Sequence, residues 1–423
     1  MKRNLWLLAV CQGLFLTNNV TFIAINGLVG LALAPLGWMA TLPVMGYVVG
    51  GALSTGLVAR TQARYGRRTS FQLGLAVAVA SALLCGYAAY SKNFWLLVAA
   101  TVVAGFYNAN AQLYRFAAAE LAVPAFREKA VSLVMAGGLL GAVAGPNLAA
   151  FTRNLTPVPF AGAYLALAGV ALLAMALLAF IEFPPPPARQ SVSGRSAGPP
   201  QARPAPSGGI LRQAQDDREK QGTVGVNEGR PLGEIMRQPV FIVAAAAGAL
   251  GYGVMNLLMA ATPIAMQVCS LPFSDVALVL EWHVIGMFAP GFFTGHLIKR
   301  FGTLPIMAVG LLLNLLCVAI ALSGVDFKQF LAALFLLGLG WNFLFTGSTA
   351  LALTAYRPEE KDKAQGALNF CVFAVLALSS LASGVLVTTR GWALLNLGSL
   401  LPLGVTALAL GWLALRQHRE QNA

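Results

Sequence analysis

Two side chains in the second half of this 423-residue chain have the chemistry to carry a proton through an apolar interior: Glu281 and His283, set in an apolar run that begins near Asp275. A carboxyl group taken out of water holds its proton more tightly, and an imidazole titrates near neutrality. Residues i and i+2 lie about 200° apart on a helix, so the two cannot face one cavity. Glu281 is the preferred carrier, and the alternative for it is a protonated carboxyl bonded to a neighbouring helix.

Neutral polar residues fall into stripes. Asn108, Gln112 and Arg115 are spaced i, i+4, i+7, which keeps them within about 60° on one helix face. Asn342, Thr346 and Thr349 repeat that spacing later in the chain. Gln12, Asn19 and Asn26 recur at seven-residue steps with Asn18 and Thr21 beside them, and Tyr252 and Asn256 are four apart. Taken together the stripes suit a polar cavity; taken singly, each residue suits a hydrogen bond between helices. Trp341, Trp282 and Phe106 are candidates for stacking on a flat substrate, or for anchoring at the membrane interface. Arg115 has three readings: attraction of an anionic group, a salt bridge to Glu120 or Glu128, or snorkelling to the headgroups.

The elements that must position these residues are membrane spans. Hydrophobic residues make up 58% of the chain and charged residues only 10%, too few polar groups to cover a water-soluble protein of this size. Twelve apolar runs are long enough to cross a bilayer, at about 5–31, 36–59, 70–90, 94–118, 130–151, 160–183, 239–266, 274–298, 304–323, 329–355, 364–388 and 392–415. The net charge of +13 is scattered in short groups rather than gathered into a nucleic-acid face. Assigning alternate loops to alternate sides puts 23 of the 28 basic residues on one side and only Lys92, Arg153, Lys328 and Arg390 on the other. That split places both termini and the central linker in the cytoplasm, as in a multi-pass protein of a bacterial inner membrane. The five cysteines are dispersed, without a Cys-x-x-Cys pair, and read as small apolar residues. No metal or cofactor is expected.

Three segments result: a six-span bundle over 1–183, a linker over 184–238 opening on Pro184-Pro185-Pro186-Pro187 and expected to be disordered, and a second six-span bundle over 239–423. The halves match at a steady offset. Arg64-Tyr65-Gly66 answers to Arg300-Phe301-Gly302, Asn19 to Asn256, Gly105 to Gly340, and Lys129-Ala130 to Lys363-Ala364, all within three residues of one shift.

Twelve spans as six plus six, a long cytoplasmic centre and the basic loop Ala63-Arg64-Tyr65-Gly66-Arg67-Arg68 resemble the major facilitator superfamily (MFS). The resemblance covers the chain outside the linker. Where the family's loop carries an Asp, this sequence has Ala63 and Lys299, which questions the charged latch built on that acid. Gly141-Ala142-Val143-Ala144-Gly145-Pro146 is similar to the span-five signature of proton-coupled exporters, although Gly-x-x-x-Gly also serves close helix packing. The resemblance implies an all-α membrane fold of two pseudo-symmetric bundles, with spans one, four, seven and ten around a central cavity. It further implies a monomeric secondary transporter of a small organic molecule, coupled to protons and favoured to export, with uptake, uniport or a transport-inactive sensor as alternatives. No nucleotide-binding loop is present to drive ATP-dependent pumping, one interior carboxylate and one interior His do not make a catalytic cluster, and no filter-like ring suggests a channel.

Overall fold

The computed structural model describes residues 2–123, 126–183 and 229–422. Nearly all of them are helical, because a backbone in hydrocarbon must satisfy its hydrogen bonds within its own segment. Span one is Lys2–Leu33; spans two and three form a single helix, Leu42–Tyr90, broken at Gly66. Span four is Phe94–Ala111 continued by Tyr114–Glu120, span five Arg127–Thr152, and span six Ala161–Leu178. The second half gives span seven as Pro239–Val268, span eight as Phe273–Phe288 followed by Gly291–Phe301 with a 42° bend between them, and span nine as Thr303–Ser323. Spans ten, eleven and twelve are Phe327–Leu353, Lys361–Thr389 and Gly391–Asn422. With the long helix divided at Gly66 and the bent pair taken as one, the described residues hold twelve candidate spans, the number expected.

The basic loops are shorter than expected. Helix runs up to Tyr65 and resumes at Arg67, and in the second half it runs to Phe301 and resumes at Thr303. A single glycine makes each turn, with nearly the same conformation: φ 81°, ψ 170° at Gly66 and φ 90°, ψ 161° at Gly302. A side chain is strained there, so only glycine reverses the chain in one residue. The flanking residues repeat too, with Arg64 5.2 Å from the centre of the Tyr65 ring and Arg300 5.2 Å from that of Phe301. These matched turns are the plainest structural trace of the internal repeat.

Glycines also set the helix spacing. Gly105 of span four meets the backbone of Gly50 and Gly51 in span two so closely that a Cβ would overlap it. The residue with the same part in the second half is Gly338, against His283 and Gly286 of span eight; Gly340, the expected counterpart, lies instead on Gly310 and Asn314 of span nine. One shift along span ten turns the helix by about 100° per residue, so a sequence offset inexact by two residues selects a different neighbour. In span five, Gly137, Gly141 and Gly145 abut Ala9, Gly13 and Thr17 of span one at four-residue steps, and Thr21 Oγ1 donates to the Gly145 carbonyl at 2.7 Å. Helix packing therefore accounts for the glycines of the Gly141 to Pro146 motif.

The linker expectation falls mostly on 184–228, outside the described residues. Its last ten residues are ordered, contrary to expectation. Leu232–Met236 is helical, with Ile235 buried beneath Phe241, Ala355 and Ala364. Arg230 pairs with Glu360 at 2.8 Å, and Glu360 also accepts from the Arg357 backbone N–H. These bonds hold the Glu360 carboxyl well below the usual carboxylate range. A depressed folded-state value adds stability above the ordinary carboxylate pKa, lost as pH falls towards the folded one.

We expect Gly66→Ala and Gly302→Ala to lower the melting temperature of the detergent-solubilised protein by similar amounts, each costing about 1–3 kcal/mol. Scanning fluorimetry showing one substitution harmless and the other severe would mean that the two turns are not equivalent.

Candidate functional site

Several contacts between the two bundles lie at the helix ends away from the termini. There, Thr41 Oγ1 donates to the Ser380 carbonyl at 2.6 Å and accepts from Gly384 N–H at 3.0 Å, joining the start of span two to span eleven. Phe160 and Phe273 meet edge to face at 5.1 Å, and the Arg153 guanidinium lies over both rings at 5.3 and 5.4 Å. Gly27 of span one approaches Ala260 and Ile264 of span seven. On the side of the termini, ion pairs stay within a bundle: Arg67 with Glu120 at 2.6 Å in the first, Arg230 with Glu360 in the second.

Glu281 lies at the bundle interface. Its Oε2 accepts from Asn147 Nδ2 of span five at 2.8 Å, and Asn147 donates equally to Val143 O at 2.8 Å. Glu281 is half-buried and Asn147 exposed. His283 points the other way, fully buried, with Nδ1 2.7 Å from the Leu334 carbonyl of span ten and Nε2 without a partner. The 200° separation between the two has put the carboxyl at the interface and the imidazole inside its own bundle. Asn147, next to Pro146 in the span-five motif, was missed by sequence reasoning, although an exposed amide in an apolar span was there to be read.

Several amides expected in the cavity sit elsewhere. Asn18 donates to Leu167 O of span six at 3.2 Å. Asn256 donates to Ser379 Oγ and Ser380 Oγ of span eleven at 2.9 and 2.8 Å. Asn342 donates to Met287 O at 2.7 Å and accepts from Thr294 Oγ1 at 2.7 Å, fastening the two pieces of span eight across its bend. All three are buried within their bundles, where an amide gains more from fixed partners than from a wet wall. Of the other expected residues, Asn19, bonded to Tyr47 Oη at 2.9 Å, and Asn108, Gln112, Arg115, Tyr252 and Thr346 are all half-buried or exposed. The span-four stripe is not continuous: the helix breaks after Ala111, Gln112 Nε2 reaches Asn108 Oδ1 at 3.5 Å, and Arg115 follows the break.

Arg115 makes none of its expected ion pairs with described side chains. Glu120 is taken by Arg67, and the Arg115 guanidinium lies 4.9 Å from the Phe116 ring centre. It falls within electrostatic range of Tyr252, on the opposite bundle. Around Tyr252 is an aromatic group: Trp341 and Phe345 meet it edge to face at 5.1 and 5.2 Å, Trp341 stacks on Phe345 at 5.2 Å with 9° between planes, and Phe288 meets Trp341 at 6.2 Å. The Trp341 Nε1 is buried without a partner. Phe345 and Phe288 were not anticipated, although Phe345 follows Trp341 by one helical turn. Trp282, anticipated as a stacking residue, faces outward beside Phe335.

Of the loop motif, Arg67 reaches Glu120 and Gln62, and Arg68 donates to Ala179 O at 2.7 Å. The missing acid at Ala63 is thus made good by Glu120 at the end of span four.

A family model described as Major Facilitator Superfamily matches residues 5–289 and 245–423. The chain belongs to that superfamily. It is 37% identical over 396 residues to the riboflavin transporter RfnT of Brucella anthropi, covering 93% of this chain and 92% of that protein. It is 28% identical over 402 residues to the uncharacterised MFS-type transporter YdeG of Bacillus subtilis, covering 94% and 88%. Among solved structures, a point mutant of the nucleoside transporter NupG superposes with a TM-score of 0.64 at 11% identity, covering 96% of this chain and 98% of that one, a likeness of fold alone. This MFS protein is a multi-pass membrane transporter of a small molecule and not an enzyme.

Cysteine substitution should separate the two sets of polar residues. A water-soluble maleimide is expected to label Gln112→Cys and Arg115→Cys, and to leave Asn18→Cys and Asn256→Cys unreacted in the folded protein. Equal labelling of both sets would place Asn18 and Asn256 in the aqueous space.

Proposed function

We propose that this MFS transporter carries riboflavin, or a flat heteroaromatic molecule close to it, and couples its movement to protons through Glu281. The observation that carries the reading is the aromatic group of Tyr252, Trp341 and Phe345, packed beside Val48 of the opposite bundle. A tricyclic ring with polar edges stacks well on such a surface, while Asn108, Gln112 and Thr346 offer bonds to hydroxyls. The 37% identity to a riboflavin transporter over nearly the whole chain supports the same substrate class.

In this reading the bundles, 1–183 and 239–423, act as a monomer and rock about the interface held by Thr41, Phe160 and Phe273, with 184–238 as connector. With both termini in the cytoplasm of a bacterial inner membrane, the contacts at the opposite ends of the helices suit an inward-open arrangement. Proton coupling is assigned to Glu281 because it bonds across the interface to Asn147, so its protonation changes a contact that differs between the two states. His283, buried behind span ten, is given no share in it. Export rested on the Gly141 to Pro146 motif; packing accounts for those glycines, and the transport assay reads direction.

In proteoliposomes with an imposed pH gradient, wild-type protein should concentrate riboflavin on one side. Trp341→Ala should weaken riboflavin binding about tenfold, the loss of one stacking partner. Glu281→Gln should abolish gradient-driven accumulation and leave counterflow exchange intact. Accumulation by that variant would remove Glu281 as the carrier, and absence of riboflavin binding to the wild type would remove the substrate assignment.

A further inference from the structure

Arg115 is a cation at the edge of a membrane-spanning helix without a carboxylate partner among the described residues. Its guanidinium lies 4.9 Å from the Phe116 ring centre, within electrostatic range of Tyr252 on span seven, and is not paired with the acid Glu120 of its own bundle, which Arg67 takes. Beside it the site offers further donors, the Tyr252 hydroxyl and the buried, unpartnered Trp341 Nε1, while Glu281, the carboxyl at the interface, is engaged by Asn147. A wall rich in donors and poor in negative charge is complementary to a ligand edge made of acceptors.

We propose that Arg115 is the residue that selects the cargo, by a forked pair of hydrogen bonds to adjacent acceptors on the rim of a flat ring. The inference rests on the flavin reading above and gives it an orientation. In an isoalloxazine the ring nitrogen N1 and the neighbouring 2-carbonyl oxygen are two acceptors with no donor between them, which fits the planar guanidinium fork and not the point charge of an ammonium. The ring then lies on the aromatics of spans seven and ten while its pyrimidine edge meets span four. The cargo is held by both bundles at once, so its binding depends on their relative position, the condition for a substrate to bias rocking.

The test uses full-length protein in detergent and three ligands, read by calorimetry: riboflavin, 5-deazariboflavin, and 1-deazariboflavin, in which a C–H replaces the N1 acceptor. Wild-type protein should bind the first two within about threefold of each other and 1-deazariboflavin about tenfold or more weakly, the loss of one bond to a charged donor. Arg115→Gln should bind riboflavin weakly and no longer separate it from 1-deazariboflavin. Arg115→Lys, which keeps the charge and loses the fork, should behave like the Gln variant. Wild-type binding of riboflavin and 1-deazariboflavin with equal affinity overturns the assignment without needing a variant. Discrimination retained by Arg115→Gln, or restored by Arg115→Lys, overturns it as well. If the wild type binds none of the three, the flavin reading itself fails, and the role of Arg115 in reading such a ring falls with it.

Discussion

A chain in hydrocarbon has no water to satisfy its backbone, and that constraint orders everything else in this molecule. It makes nearly every described residue helical and removes the hydrophobic effect as a force between helices, since lipid is as apolar as leucine. What remains to bring helices together is contact without side chains and a few hydrogen bonds. Both are visible: the run of Gly137, Gly141 and Gly145 on span one, Gly105 on span two, Gly338 on span eight, and the amides Asn18, Asn256 and Asn342 bonded to neighbouring helices. Each such bond contributes only about 0.6 kcal/mol, up to about 1.7. Many are needed, and most of the buried amides are spent this way.

That use of amides also explains which part of the site was legible. The fold was readable, because span length, apolar composition and the bias of basic loops are averages over about twenty residues and tolerate local error. The site depends on helix azimuth, and there a single residue matters. Asn256 and Tyr252 are one turn apart on span seven, yet Asn256 bonds to span eleven while Tyr252 meets Trp341 and Phe345 of span ten. Glu281 and His283 diverge, as their spacing requires, and the partner that Glu281 finds, Asn147, lies in a span 134 residues away, beyond the reach of helix periodicity. Phe345 and Phe288 were invisible for the opposite reason, since aromatic residues in an apolar span do not stand out until the structure gathers them around Trp341.

The contact between the bundles follows the same economy. It too uses a glycine, since a Cβ on Gly384 of span eleven would overlap Thr41. Its other parts are few: a threonine hydroxyl between spans two and eleven, and a cation held between two rings at the ends of spans five, six and eight. Phe160 takes part with a left-handed backbone, φ 66°, that is unfavourable for a phenylalanine. The conformation is maintained by its contacts, including the bond from its N–H to Arg153 O at 2.9 Å.

The two halves, alike in their turns, differ in how they secure the ends of spans four and ten, and the difference follows from the departure of the loop motif. In the first half the acid expected at position 63 is absent, and Arg67 finds Glu120 instead. In the second half Lys299 stands at the equivalent place, and Arg300 lies over Phe301 with no carboxylate partner among the described residues. The acid at that end of the bundle, Glu360, is engaged by Arg230 from the last part of the connector, through the guanidinium and the backbone N–H together. The connector is therefore structural on its C-terminal side. It supplies the cation that pairs with Glu360, whereas in the first half Glu120 is paired by Arg67 of the loop itself.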